Sequence, residues 1–225
     1  MAHGFDAVSL DVGGVLVVPD HGVLAGALDR MGIGYQRDRF GVGHYEAMAA
    51  VDRAASHPED FTDYLAGFLA AVGVDDGDRP RAHDSLLDVL RTPVWCQPVP
   101  GSREAVRALA AAGLRLAVTS NSDGTVEDHL ARHEWVQVGP GPGVPVEVVT
   151  DSGIVGVGKP DARVFNATID ALGLPAARIL HIGDSVVYDV DGAAAVGMHA
   201  VHMDPFGLCD ADHPHVSSLA GVLQM

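Results

Sequence analysis

Residues 9 to 17 read SLDVGGVLV, an apolar run that ends in one carboxylate, Asp11, and passes at once into two glycines. An ionised carboxylate at the end of a buried strand is costly to desolvate, so its presence there asks for a chemical use. Other polar residues stand where later apolar runs stop: Ser120 and Asn121 in VTSNS, Asp184 in ILHIGD, and Asp189 five residues further on. Lys159, the only lysine in the chain, lies in GVGKPDARVF. Several carboxylates and one ammonium could serve as nucleophile, metal ligands and neutralising charge. A carboxylate can attack phosphorus and split one hard displacement into two easier ones. Paired carboxylates offer the hard oxygen ligands that Mg²⁺ prefers, and an ammonium neutralises the transferring group.

These residues need a scaffold that brings strand ends together. Apolar runs at Ala7 to Leu10, Leu114 to Val118, Val146 to Val149, Ile179 to Ile182 and Ala200 to Met203 read as strands of a parallel sheet buried on both faces. Between them lie helical patterns. Ser102 can cap a helix carrying Val106, Leu109 and Ala110 that stops at Gly113. Pro160 suits the first turn of a helix carrying Val164, Phe165, Thr168, Ile169 and Leu172, ended by Gly173. Strand alternating with helix predicts an α/β fold, a doubly wound parallel sheet of Rossmann-like type. In such sheets ligands bind beyond the carboxyl ends of the strands, where the polar residues above are found.

Residues 17 to 99 break the alternation. Four apolar stripes at helical spacing follow one another: Leu24, Leu28 and Met31; Tyr45, Met48 and Val51; Phe61, Leu65, Phe68, Leu69 and Val72; Leu86, Leu87 and Leu90. Turn formers separate them at Gly32-Ile33-Gly34, His57-Pro58 and Asp75 to Pro80. The expected organisation is a core of residues 1–16 and 100–225, with residues 17–99 as a small all-α insertion of four helices over the strand ends. Gly139 to Gly143, alternating glycine and proline, reads as a surface loop.

Composition limits the partners. The net charge of −16 argues against nucleic acid and anionic membranes, because a broad acidic surface repels phosphate backbones. Cys96 and Cys209 form no CxxC pair, which favours a reduced, cytoplasmic protein with ordinary thiols. No basic segment followed by an apolar run opens the chain, and no apolar stretch approaches the roughly 20 residues that span a bilayer. A monomer or homodimer acting on a small molecule is expected.

Taken together, the motifs LDVGGVL, VTSNS, VGKPDARVF and ILHIGDSVVYDVDGAAAVGM resemble, in order and spacing, the four motifs of the haloacid dehalogenase superfamily of hydrolases. The helical insertion after the first motif resembles that family's first type of cap. Most members are Mg²⁺-dependent phosphatases. The resemblance implies that Asp11 is the nucleophile and, with Asp184 and the backbone carbonyl of Gly13, a metal ligand. It implies that Asp189 assists the metal through water or by positioning. Ser120, with Asn121, would bind a phosphate oxygen, and Lys159 would neutralise the transferring group.

Gly13 departs from the pattern. Phosphatases of this family usually carry a second aspartate there, which protonates the leaving oxygen and later activates water, although some of its sugar-phosphate phosphatases also have glycine. Such acid–base catalysis is typically worth about 10²–10⁴ in rate. Three readings follow: a phosphatase of good leaving groups such as sugar 1-phosphates or acyl phosphates, a catalytically weak protein that binds or regulates, or a 2-haloacid dehalogenase. The acidic GDSVVYD segment speaks against the last. Asp20 and His21 are candidates to replace the missing acid, although Asp20 also reads as a helix N-cap. Arg37, Arg39, His44, Tyr45 and Arg53 could reach a polar substrate from the insertion. His199, His202, His213 and His215 match no metal-binding spacing, and HPHVSSLAGVL reads as a loop and a final helix packed on the core.

Overall fold

The computed structural model describes residues 4–56 and 61–225, so the predicted turn at His57-Pro58 lies outside the described residues. The chain divides into two compact units, one of Met1–Leu16, Pro100–Pro205 and Asp212–Met225, the other of Val17–Val99 and Phe206–Ala211.

The first unit is the α/β one. Its sheet comprises β1 (Ala7–Leu10), β4 (Arg115–Ser120), β7 (Val149–Asp151), β8 (Ile179–Gly183), β9 (His199–Met203) and β10 (His215–Val216). Their order is β10-β9-β8-β1-β4-β7, and every pairing is parallel. The helices α5 (Ser102–Ala111), α6 (Val126–Arg132), α7 (Ser152–Val155), α8 (Ala162–Leu172) and α9 (Gly192–Ala195) connect them. Strand β1 is buried along its whole length, as its run of apolar residues requires between two neighbours and two covered faces. Ala7 and Ala117 on adjacent strands, Phe165 and Leu172 on α8, and Ile179, Ala193 and Met198 form one continuous buried cluster.

Several boundaries differ from the sequence reading for local reasons. Ser102 is the first residue of α5, not its cap; Gly101 takes the cap position, and the Ser102 hydroxyl donates to the Leu16 carbonyl at 3.1 Å. Helix α8 begins after Asp161, whose carboxylate accepts from the Arg163 amide, so Pro160 lies in the turn before the helix and follows a cis peptide bond. The run Val146–Val149 splits: β6 (Val144–Val146) pairs with β5 (Val136–Val138), and only Val149 onward joins the main sheet. The Gly139–Gly143 segment between β5 and β6 forms bends. The tail ends in a final helix, of 3₁₀ type, over Leu219–Gln224, and the segment before it includes the two-residue strand β10 (His215–Val216) in addition to the expected loop.

The second unit contains α1 (His21–Arg30), α2 (Phe40–Ala54), α3 (Thr62–Ala71) and α4 (Arg79–Leu90). Most of the predicted stripe residues fill its interior, with Leu24, Leu28, Leu65, Phe68, Leu69 and Leu86 nearly inaccessible to solvent beside Phe40, whereas Met31, Met48, Phe61 and Leu87 are half-buried. Gly67 sets the close approach of α2 and α3: a Cβ there would lie 2.8 Å from the Ala50 Cβ and 2.9 Å from the Ala47 Cα. The unit is not purely helical. β2 (Val17–Pro19) and β3 (Trp95–Pro98) pair antiparallel, because the segments entering and leaving the insertion run side by side and satisfy each other's backbone groups. Phe206–Ala211 also groups with this unit, and the Phe206 ring packs on Tyr45 at 5.5 Å.

Candidate active site

Parallel pairing brings the chemistry-bearing residues to one end of the first unit's sheet. Leu10 is in register with Val118 and with Ile182, so the next residue of each strand emerges at the same edge. The Asp11 amide donates to the Ile182 carbonyl at 2.9 Å, which extends the β1–β8 ladder by one bond and fixes Asp11 at the strand end. Ser120 closes β4, and Asp184 follows β8 directly. Asp189 lies on a π-helical turn, Val186–Asp191, whose Ser185 hydroxyl accepts from the Tyr188 amide. Such wide turns recur at functional positions because they re-aim side chains that a regular helix would direct elsewhere.

Lys159 unites the group. Its Nζ lies 2.9 Å from Asp11 Oδ1 and 2.6 Å from Asp189 Oδ1, and the side chain is 3% exposed. Asn121 holds this lysine in place: its Oδ1 accepts from the Lys159 amide at 2.7 Å, and its Nδ2 donates to the Lys159 carbonyl at 3.3 Å. The described contacts of Asn121 are thus with Lys159's own backbone. Gly158 is tight here as well, since a Cβ on it would lie 3.0 Å from Asn121 Oδ1.

Crowding polarises the carboxylates in opposite senses. Burial, reinforced by Asp189 and Asp184, pushes the Asp11 carboxyl up to about 7 although Lys159 pulls it down. Burial would also raise Asp189, yet Lys159 and the His181 hydrogen bond hold it well below the ordinary carboxylate range. Burial alone would lower the Lys159 ammonium; its two carboxylate partners outweigh that and hold it above the usual lysine value. Asp189 is fully engaged, with Oδ1 also 3.1 Å from His181 Nε2 and Oδ2 accepting from the Ser185 amide at 3.1 Å.

The residues present fit a hard divalent cation. Asp11, Asp184 and Asp189 are all buried, and each offers a carboxylate oxygen within 4.8 Å of the others. Gly14 makes room for this cluster. Its φ is +64°, and a Cβ there would sit 2.0 Å from Asp184 Oδ2. Gly14→Ala is therefore expected to displace the Asp184 carboxylate and to cost about 1–2 kcal/mol from the left-handed backbone alone. A Mg²⁺ titration should show affinity lower by roughly 10–100-fold, the usual effect of disturbing the support of a ligand. Unchanged Mg²⁺ affinity would separate Gly14 from the carboxylate cluster.

Two features escaped the sequence reading. A chain of buried polar side chains crosses the sheet: His181 Nδ1 to Ser9 Oγ at 3.1 Å, Ser9 to Thr119 at 2.8 Å, Thr119 to Thr168 at 2.7 Å, and Thr168 donating to Thr150 at 2.8 Å. It anchors His181 and so orients Asp189. Burial pushes the His181 imidazole below its ordinary range while Asp189 pulls it up. The sequence shows Ser9, Thr119 and His181 only as polar residues within strands and carries no sign of which of them meet. The second feature is Asp151, whose carboxylate accepts from the amides of Gly124, Val126 and Gly153 and so pins the loop that follows Ser120.

Candidates in the second unit are committed to local contacts. Asp20 caps α1, accepting from the Val23 amide at 2.9 Å. His21 Nδ1 lies 3.0 Å from Gln97 Nε2, and burial, followed by His44, lowers its pKa. Arg37 contacts the Tyr35 hydroxyl and Asp29, Arg39 contacts Glu46 and the Ala71 carbonyl, and His44 contacts the Tyr64 hydroxyl. Arg53 is exposed on α2. Among the described residues no helix is long and apolar enough to cross a membrane.

This arrangement has relatives. Among curated proteins, "Haloacid dehalogenase-like hydrolase domain-containing protein 3" of Mus musculus is 33% identical over 152 residues, covering 67% of this chain and 57% of that protein. "Ribulose-1,5-bisphosphate 5-phosphatase" of Halopiger xanaduensis is 29% identical over 201 residues, covering 83% of this chain and 78% of that one. The chain spans about half the length of the first curated relatives it matches, from 49% to 57%. Among solved structures, a HAD phosphatase from Thermococcus onnurineus shares the fold, with a TM-score of 0.59 at 18% identity over 98% of this chain and 97% of that one. The profile of the haloacid dehalogenase-like hydrolases matches residues 5–197, from just before β1 to the end of the turn after α9. With the strand-end carboxylates, the buried lysine and the parallel sheet all inside that span, this chain belongs to the haloacid dehalogenase-like hydrolase family.

Proposed function

We propose that this hydrolase cleaves the phosphoryl group from a small phosphorylated metabolite, with Asp11 as the nucleophile and Mg²⁺ held by Asp11, Asp184 and the Gly13 carbonyl. The observation that carries this reading is Lys159 Nζ bridging Asp11 and Asp189 at 2.9 and 2.6 Å. A buried ammonium fixed against the attacking carboxylate is placed where negative charge from a phosphoryl group must be neutralised. Phosphatase names among the relatives, including the ribulose-1,5-bisphosphate enzyme, support the substrate class.

In this reading the Asp11 carboxylate attacks phosphorus, the bond to the leaving oxygen breaks, and an aspartyl-phosphate forms on Asp11. Water then attacks phosphorus, the bond to the Asp11 oxygen breaks, and inorganic phosphate and the free carboxylate are released. Mg²⁺, when bound, supplies charge neutralisation and aligns the phosphoryl oxygens. Ser120 donates to a phosphoryl oxygen from the end of β4. Asn121 acts on Lys159, as its two backbone contacts indicate, and Asp189 positions that lysine. Because Gly13 carries no acid, the reading favours leaving groups that depart without a proton, such as sugar 1-phosphates and acyl phosphates.

Phosphate release from p-nitrophenyl phosphate, acetyl phosphate and sugar 1-phosphates, with and without Mg²⁺, tests the assignment. The expected result is Mg²⁺-dependent release that Asp11→Asn removes. Saturable binding of a phosphate ester without any release would instead support a binding or regulatory protein. Release of halide from a 2-haloacid independent of Mg²⁺ would support a dehalogenase.

A further inference from the structure

Three of the four histidines near the carboxyl end of the chain converge. His215 opens β10 in register with His202 on β9, which sets their side chains on neighbouring strands about one strand spacing apart. His213, two residues before His215, returns to the same side. The ring centroids are 5.3 Å apart for His202–His213, 5.2 Å for His202–His215 and 4.3 Å for His213–His215. Each residue offers a ring nitrogen within 4.8 Å of the others. His199 is not in the group, because three residues along a strand bring a side chain to the opposite face.

The geometry points to a site for a nitrogen-seeking divalent metal of the zinc class, held by His202, His213 and His215. His202 is prepared for ligation. It is buried, and its Nε2 lies 3.2 Å from the Asp184 carbonyl, which fixes this nitrogen as the N–H donor and leaves Nδ1 as the acceptor, its lone pair directed at His213. Backbone carbonyls play this orienting role for histidines that bind metals. His202 Nδ1 is in turn 3.2 Å from His213 Nε2. Two nitrogens bound to one tetrahedral Zn²⁺ at 2.0–2.1 Å are about 3.3 Å apart, so little movement separates the present spacing from ligation. His213 is half-buried and His215 exposed, which leaves a route for the ion from solvent. Three imidazoles suit zinc, copper or nickel, whereas the carboxylate cluster suits a hard ion. The two sites would thus sort different metals, and Asp184 touches both, its carbonyl facing His202 and its carboxylate belonging to the acidic cluster.

Calorimetry on the intact, chelator-stripped chain, titrated with Zn²⁺ in excess Mg²⁺, tests the site. One Zn²⁺ per chain is expected. His213→Gln and His215→Gln, both at accessible positions, should each lower its affinity at least as much as the roughly 10–100-fold that loss of an outer partner costs. His199→Gln should leave it unchanged. Co²⁺ in place of Zn²⁺ should give the visible absorption of a four-coordinate site with three nitrogen ligands, lost in the same two variants. No saturable Zn²⁺ binding, or binding indifferent to both variants or abolished by excess Mg²⁺, would overturn the assignment.

Discussion

Lys159→Met is expected to remove about 3–5 kcal/mol of folding stability, the usual cost of leaving a buried charge without its partner. The loss should be larger at pH 8 than at pH 6. Lys159 is the one contribution that pulls Asp11 down, against burial and the charges of Asp189 and Asp184 that already raise its carboxyl to about 7. Without the ammonium, the folded-state pKa of Asp11 climbs further above the roughly 3.9 of an unfolded aspartate. A group raised in the folded state stabilises it fully below the unfolded pKa, and that contribution fades as pH rises through the folded pKa. The variant can therefore take up a proton and tolerate mild acid, while above neutrality it must bury two carboxylates with no cation between them. Urea denaturation of metal-free protein at both pH values measures the difference. A loss below about 1 kcal/mol, equal at both, would mean the ammonium behaves as a solvated surface charge. Lys159→Arg should not restore turnover, because a planar guanidinium cannot replace a compact ammonium between two carboxylates.

The same triad shows what a linear sequence can disclose. Asp11 was identifiable as a carboxylate ending an apolar run, Lys159 as the only lysine of the chain, and Asp189 as part of the acidic GDSVVYD segment. Parallel register brings Asp11, Ser120 and Asp184 to one edge, since Leu10 is level with Ile182 and Val118; Lys159 and Asp189 reach that edge from the turn before α8 and from the π-helical turn after β8. What register cannot convey is how side chains spend their hydrogen bonds. Asn121 reads as a substrate contact in VTSNS, yet its amide closes on the backbone of Lys159, 38 residues later. The polar chain from His181 to Thr150 was hidden for a related reason, since hydroxyls inside strands pass as neutral filling until neighbouring strands are aligned. The histidine group was hidden more deeply. His202, His213 and His215 have no motif spacing, and only the two-residue strand β10 brings them level. Short pairings of that kind carry almost no pattern in sequence, as the antiparallel β2–β3 pair at the neck of the insertion also illustrates.

Gly13→Asp is expected to raise kcat/KM on simple alkyl phosphates by roughly 10²–10⁴, the worth of a positioned general acid. The corresponding value for acetyl phosphate should change far less. The two substrates differ in the step that an acid assists. An alkoxide leaves only with a proton, whereas a carboxylate leaves well without one, and kcat/KM reports the steps up to the first irreversible one. Gly13 is half-buried and only two residues beyond the strand-end Asp11, so a carboxyl grafted there is expected to reach the same edge. Hydrolysis of the aspartyl-phosphate needs a base whatever the first leaving group was. If that second step limits turnover, kcat should rise for both substrates alike. A selective rise in kcat/KM would therefore make the glycine a determinant of leaving group. A uniform rise in kcat would instead place the deficit in water activation. No rise in either would mean that another side chain already supplies the proton, or that the site is built to hold a phosphate ester and not to cleave it.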